Sequence, residues 1–375
     1  MAEEVLTNRD STELSKTIIV LGAGASAADG APLQGELFRQ YFQSSQIQER
    51  VDSNMKRSLQ RYFTAVWGIN VGGDVSTVQF PTFEEALGIL DIVDTRKESF
   101  RGMGDDPHAT GTQELRNHLT ALIGLILHEE LDARSSTSHQ TLINSLRGHS
   151  WLSSTALISL NYDLLIDNAI EYTSFQGRNA HALPDYGVEF TPEPHSNNLL
   201  FPKSNLLLKL HGSLNWLYCP TCGTLQIFPH QKITFGLEGS PRHTRCSECR
   251  ELRVSTIIPP TFFKVMSNFY LQQIWKRAEE ELKQASRIIF CGYSFPDADM
   301  HIKYLLKRAE VNRLGEAPKV FIVNEPDGKE EQERKMERNR YMRFFRQKDL
   351  VHWTKLSFEQ FAENPTLIED GSKWL

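Results

Sequence analysis

The feature that most constrains the fold is a set of short apolar runs, each stopped by glycine or small polar residues. Residues 16–21 read Lys-Thr-Ile-Ile-Val-Leu and end in Gly22-Ala23-Gly24-Ala25-Ser26. A β-branched run of this length, closed at once by a glycine turn, suits a parallel strand buried on both faces that feeds a helix. Similar runs stand at 155–160, 206–210, 287–291 and 319–323, with a shorter one at 255–258 that ends at Pro259-Pro260. The pattern predicts an α/β fold built on a Rossmann-like parallel sheet. With 375 residues and 40% hydrophobic content, the chain can bury one large core and still carry insertions.

Two insertions interrupt the strands. Residues 43–150 carry helical patterns and little strand signal; Thr82 and Glu85 form a capping-box signature, and Leu115, Leu119, Leu122, Ile123 and Ile126 repeat at helical steps over 113–131. Residues 101–112 read as a loop within this stretch. The second insertion, 216–256, holds two Cys-x-x-Cys pairs. Residues 329–348 are charge-dense and read as a solvated helix with internal ion pairs. The expected layout is a sheet domain from 14–42, 140–215 and 257–345, a helical subdomain at 43–139, a metal module at 216–256 and a C-terminal extension at 346–375.

A formal net charge of −6 argues against a surface built to attract nucleic acid, and direct nucleic-acid binding is not expected. The start of the chain has Glu3, Glu4 and Asp10 in place of a cationic leader, and no stretch is apolar enough for a membrane span, so a cytoplasmic location is expected. In a reducing compartment, paired cysteines read as metal ligands before disulfides. Cys219, Cys222, Cys246 and Cys249 would fill a tetrahedral zinc shell and leave no position open for catalysis, which makes the site structural; His243 is an alternative ligand. Arg242, His243, Arg245 and Arg250 give a nucleic-acid ribbon some basis as a competing reading of this module. Cys291, inside an apolar run, reads as a core residue.

The turn Gly22-x-Gly24-x-x-Ala27 lets backbone N–H groups approach a pyrophosphate. A dehydrogenase of the ordinary dinucleotide type is not expected, because no acidic residue stands about twenty positions on, at the end of a second strand. The runs end in Asn161-Tyr162-Asp163, His211-Gly212-Ser213, Gly292-Tyr293-Ser294 and Asn324. In an open parallel sheet such residues converge on a ligand crevice beyond the carboxyl ends of the strands. Taken singly, Asn161 and Asp163 are also what a strand-end and helix cap need, and His211 is also what a hydrogen-bonded core position needs.

In order, Gly22-Ala23-Gly24-Ala25-Ser26 with Gly30-Ala31-Pro32, then Leu160-Asn161-Tyr162-Asp163, Leu210-His211-Gly212-Ser213, the two cysteine pairs, Gly292-Tyr293-Ser294-Phe295 and Val323-Asn324, the chain resembles the sirtuin family, and most closely its bacterial antiphage-defence branch, which consumes NAD+. The resemblance implies that Gly22 to Ser26 with Pro32 bind the pyrophosphate, and that Asn161 and Asp163 line the nicotinamide and ribose pocket. It implies that His211 is the catalytic histidine, with Asn161 also catalytic, and that Gly292, Tyr293, Ser294 and Asn324 hold the adenosine half. Two departures bear on activity: Leu33-Gln34-Gly35 follow Pro32 where protein deacylases carry Asp-Phe-Arg, and residues 257–263 replace their Phe-Gly-Glu stretch. The expected activity is therefore NAD+ hydrolysis, with a protein deacylase or a non-catalytic NAD+ or ADP-ribose-binding module as alternatives. A homo-oligomer and a HerA-like hexameric ATPase are the partners the resemblance implies.

Overall fold

The computed structural model describes residues 16–103, 111–131, 137–175, 183–191, 204–228, 245–258, 268–297, 299–325 and 329–375. They begin with β1 (Thr17–Leu21), α1 (Ala23–Ala28), α2 (Leu37–Gln43), α3 (Ser45–Glu49), α4 (Ser53–Trp67), α5 (Phe83–Arg96), α6 (Thr112–Leu131) and α7 (Ser138–Gly148). Next come β2 (Thr155–Ser159), α8 (Leu165–Phe175), β3 (Leu207–Lys209), β4 (Trp216–Tyr218), β5 (Leu225–Ile227) and β6 (Val254–Ser255). The chain closes with α9 (Phe269–Gln284), β7 (Arg287–Cys291), α10 (Met300–Val311), β8 (Lys319–Val323), α11 (Glu331–Phe344), β9 (Val351–Trp353) and α12 (Phe358–Glu363).

Six strands form one sheet in the order β3-β2-β1-β7-β8-β9, and every neighbouring pair is parallel. All residues of β1 and β2 are buried, which is why their sequences run apolar without alternation. Side chains from α7, α8, α9, α10 and α12 share the core of this Rossmann-like sheet, and Cys291 sits fully buried within it. From β1 the chain steps outward through β2 to β3, then returns to the other side of β1 with β7, β8 and β9. That reversal opens a switch point at the carboxyl ends of β1 and β7, where ligands bind in open α/β sheets.

A second core gathers α2 through α6, and Phe38 stacks on Phe83 with ring centroids 4.2 Å apart. Thr82 caps α5 as its spacing predicts: Glu85 N–H donates to Thr82 Oγ1 at 3.1 Å, and Glu85 Oε2 accepts from Thr82 N–H at 2.7 Å. Leu165 at the start of α8 and Leu214 from the loop after β3 pack into this helical core. It therefore sits over the carboxyl end of the sheet. Residues 104–110, most of the loop expected at 101–112, lie outside the described residues.

Three elements differ from the sequence-based expectation. The run at 255–258 gives only β6, which pairs antiparallel with β4 in a small sheet of order β5-β4-β6, because the chain here serves the cysteine module. Residues 351–353 add β9 to the edge of the main sheet; Val-His-Trp is too short and too mixed in polarity to announce a buried strand. Within the charge-dense α11, Glu337 and Tyr341 are fully buried, since one face of that helix packs against the strand ends.

Candidate functional site

The glycine turn after β1 and the glycine turn after β7 interlock. Gly24 N–H donates to Gly292 O at 2.7 Å, and Gly22 N–H to Cys291 O at 2.9 Å. A Cβ on Gly22 would stand 2.7 Å from Gly292 O, one on Gly24 2.8 Å from Gly292 Cα, and one on Gly292 would collide with Ala25 N. Gly292 also has φ +61°, which disfavours any side chain. These glycines are thus fixed by backbone-to-backbone packing at the switch point, whatever the turn binds. Phe295, three residues on, holds φ +54° and is pinned by stacking on Tyr341 at 4.5 Å, a strained conformation at a fully buried position.

Beyond these turns lies a cavity of about 960 Å³. Its wall includes Gly22, Ala23, Gly24, Ser26, Pro32, Asn161, Asp163, His211, Gly292, Tyr293, Ser294 and Asn324. Ala25 is the exception: it is fully buried behind the wall and faces Gly292. The volume is at the upper end of the range for small-molecule sites, so an extended ligand fits better than a compact one.

Asn161 stands on the loop after β2. Its Nδ2 donates to Gly22 O at 2.9 Å and to Ser26 Oγ at 2.8 Å. A main-chain carbonyl can only accept, which fixes the amide orientation; with both hydrogens engaged, Asn161 has only Oδ1 to offer a ligand. Ser26 passes the ladder on by donating to Asp163 Oδ2 at 2.7 Å. Asp163 Oδ1 accepts from Leu165 N–H at 3.0 Å, which caps the start of α8. Both carboxylate oxygens are therefore bound within the protein, and Ser26 and Asp163 are buried.

His211 follows β3 and is also buried. Its Nδ1 lies 3.0 Å from Leu160 O, so in the neutral ring Nδ1 carries the hydrogen and Nε2 the lone pair. Leu160 directly precedes Asn161, so one peptide ties the two side chains to the same place. Gly212 holds φ +80°, and a Cβ there would strike Thr256 O. The histidine loop is further fixed by Ile258 N–H donating to His211 O at 2.9 Å, Tyr162 OH to Ile258 O at 2.7 Å and Trp275 Nε1 to Leu210 O at 2.8 Å.

At the other end, Asn324 Nδ2 donates to Glu337 Oε1, while Lys329 Nζ donates to Asn324 O at 2.7 Å and pairs with Glu337. Burial raises the Glu337 carboxyl above its ordinary range, against the opposing bonds from Lys329 and Asn324. Ser294 O accepts from the Arg340 guanidinium at 2.9 Å, and Tyr293 O from Tyr341 OH at 2.7 Å. Ser357, Phe358, Glu359 and Gln360 at the start of α12 also line the cavity, as do Phe83, Ile123 and Leu127 of the helical core. Sequence reasoning missed these. The Ser357-x-x-Gln360 capping box was readable as a helix start, but nothing in it signals proximity to a cavity.

Cys219, Cys222, Cys246 and Cys249 bring their Sγ atoms within 4.8 Å of one another, with Cys219–Cys249 at 3.4 Å and Cys222–Cys246 at 3.5 Å. Thiolates around one tetrahedral ion at Zn–S of about 2.3 Å would stand about 3.8 Å apart, so the set fits a metal ion. The two knuckles share one geometry: Gly223 N–H donates to Cys219 O at 2.9 Å and Arg250 N–H to Cys246 O at 3.0 Å, with both donor residues at positive φ. His243 lies outside the described residues.

No curated protein matches the chain. Among solved structures, a Sir2 homologue in complex with NAD aligns at 14% identity over 95% of this chain and 89% of that one, with a TM-score of 0.44. A Sir2 homologue with ADP-ribose aligns at 14% identity over 95% and 92%, TM-score 0.41, and Sir2Tm bound to a propionylated peptide at 14% over 95% and 93%, TM-score 0.39. These superpositions are loose and carry no weight for the chemistry. Residues 155–345, from β2 through α11, match the SIR2-like domain; this stretch holds Asn161, His211, the four cysteines and the turn at Gly292, and by it the chain belongs to the SIR2-like domain family.

Proposed function

We propose that this protein is an NAD+ glycohydrolase that cleaves the bond between nicotinamide and ribose to give nicotinamide and ADP-ribose. The observation that carries the proposal is that Asn161 and His211 line one cavity and are tied through the Leu160 carbonyl: an amide with only its oxygen left to offer, and an imidazole whose neutral tautomer keeps its lone pair on Nε2. Within that cavity the nicotinamide ribose of the substrate lies toward Asn161 and His211. The pyrophosphate lies along Gly22 to Ser26 and Pro32, and the adenosine half toward Gly292, Tyr293, Ser294 and Asn324.

The chemistry asks for orientation more than force. The nicotinamide ring in NAD+ is a cationic leaving group, and the C1′–N bond breaks with its electron pair passing to the ring nitrogen, which becomes neutral. Water then bonds to C1′ and releases a proton. Asn161 Oδ1 accepts a hydrogen bond from that water or from a ribose hydroxyl, and His211 Nε2 accepts a proton through the ribose hydroxyls. Asp163, with both oxygens occupied by Ser26 and Leu165, holds the ladder. Water as acceptor accords with the departures at Leu33-Gln34-Gly35 and at 257–263, of which 259–263 lie outside the described residues.

The four cysteines hold a structural zinc ion, the module at 216–256 and the helical subdomain at 43–139 are set around the sheet domain, and the C-terminal extension at 346–375 joins that domain through β9 and α12. The biological role proposed is that of a regulated effector of bacterial antiviral defence in the cytoplasm. Unrestrained NAD+ loss kills a cell, so the chain works as a homo-oligomer under a partner such as a HerA-like hexameric ATPase.

The test incubates the purified chain with NAD+ alone and again with the candidate ATPase, following nicotinamide release. Asn161→Ala and His211→Ala are each expected to cut turnover by about 10²–10⁴-fold while melting temperature stays near wild type. Turnover retained in both variants removes the mechanism. Release only with an acylated peptide indicates a deacylase, and NAD+ or ADP-ribose binding without product indicates a binding module.

A further inference from the structure

We propose that Lys209 is a positioning residue for the Asn161–Asp163 loop, an inference that rests on the NAD+-cleaving function above. Lys209 ends β3, two residues before His211, and is fully buried. Its ammonium donates to the main-chain oxygen of Asp163 and to Asp167 Oδ2, the latter at 2.8 Å. The Tyr186 hydroxyl donates to Asp167 Oδ1 at 2.6 Å, and both residues are buried. Lys209, Asp167 and Tyr186 stand outside the cavity wall and do not reach the reacting atoms.

A buried lysine at this place is poor economy for stability alone. A buried ion pair contributes little beyond well-packed apolar side chains, and a cation under the first turn of α8 opposes the helix dipole. What the ammonium supplies is direction. It fixes the Asp163 peptide, so that the Asp163 carboxylate meets Ser26 and the Leu165 N–H, and Asn161 two residues earlier meets Gly22 and Ser26. The same strand end leads straight into His211. Both reacting side chains therefore hang from one buried cation, and a shift of about 1 Å in such a frame is enough to cost on the order of a hundredfold in rate.

The experiment compares the full chain with Lys209→Met/Asp167→Asn, which removes both charges together. The expected result is a fall in kcat of about thirtyfold with KM changed less than about threefold, at a melting temperature close to wild type. A folded double variant with wild-type kcat overturns the proposal, because a merely structural role would move melting and not turnover. Should the double variant not fold, Tyr186→Phe removes only the hydroxyl bond to Asp167, and an unchanged kcat there overturns it as well. Hydrogen exchange at the Leu165 amide separates this inference from the function on which it rests: exchange about tenfold faster in the variant supports positioning even if the wild type releases no nicotinamide, and equal protection overturns it.

Discussion

At one end of the cavity, Asn161, Ser26 and Asp163 make a ladder of short side chains tied to main-chain groups at Gly22 and Leu165. At the other, Asn324, Lys329 and Glu337 make a charge-assisted cluster that depends on α11 packing against the strand ends. The first end is built from the turns and helix starts that directly follow β1 and β2, so its geometry is inherited from strand register with little freedom left over. The second joins Asn324, which follows β8, to Lys329 and to Glu337 of α11, and the exposed Glu333 and Glu359 also line the cavity. Under the proposed function the two ends take different work: a stiff frame suits bond cleavage, and a wall of helix-borne side chains suits grip on a ligand.

The largest effect should come from removing what the two ends share. Gly292→Ala puts a Cβ into the backbone of the opposing turn at a positive φ, and is expected to destabilise the protein by more than about 3 kcal/mol, read as loss of a cooperative melt. Ser26→Ala then breaks the stiff end alone: it strands buried groups on Asn161 and Asp163, costing about 1–3 kcal/mol in stability, and kcat should fall roughly tenfold to a hundredfold. Asn324→Ala should act in the opposite sense, raising KM about five- to tenfold with kcat little changed. If Ser26→Ala moves only KM, or Asn324→Ala only kcat, the division of labour fails.

The smallest effect concerns how α1 is anchored behind the stiff end. Asp29, just after α1, accepts from Ser138 N–H at 2.7 Å and pairs with His139 Nδ1 at 2.6 Å. Burial opposes its ionisation, but the bonds from His139 and Ser138 outweigh that and hold its carboxyl below the ordinary 3.8. A depressed carboxyl contributes stability above its unfolded value and loses it as pH falls through the lower folded value. Acid titration of the melting temperature should therefore show an extra decline below about pH 3.8 that Asp29→Asn removes; an identical acid limb in both proteins rejects the anchor.

Much of the fold was legible because burial on both faces leaves a plain trace: β1, β2, β7 and β8 are continuous apolar runs, and each stops where the chain meets the cavity. The capping box at Thr82 and the cysteine spacing were equally plain, since both are local chemistry with fixed offsets. β9, and the place of the α12 start against the cavity, were not, because a short edge strand and a helix beginning look alike wherever they dock. Nor did Glu337 stand apart from its charged neighbours on α11, as a helix hides which of its carboxylates turns inward until a partner surface exists.

The sequence by itself determined the buried strands β1, β2, β7 and β8, the glycine turns and the paired thiols, and it singled out Asn161 and His211 as candidates, because these depend on residue type and on spacing along a few residues. Only the tertiary structure decided that Gly22, Gly24 and Gly292 serve one backbone contact, that the Asn161 amide spends both hydrogens inside the protein, and that Lys209 lies buried beneath them. Those facts rest on distances between atoms more than a hundred residues apart in the chain for Asn161, and such distances are set by packing and strand order.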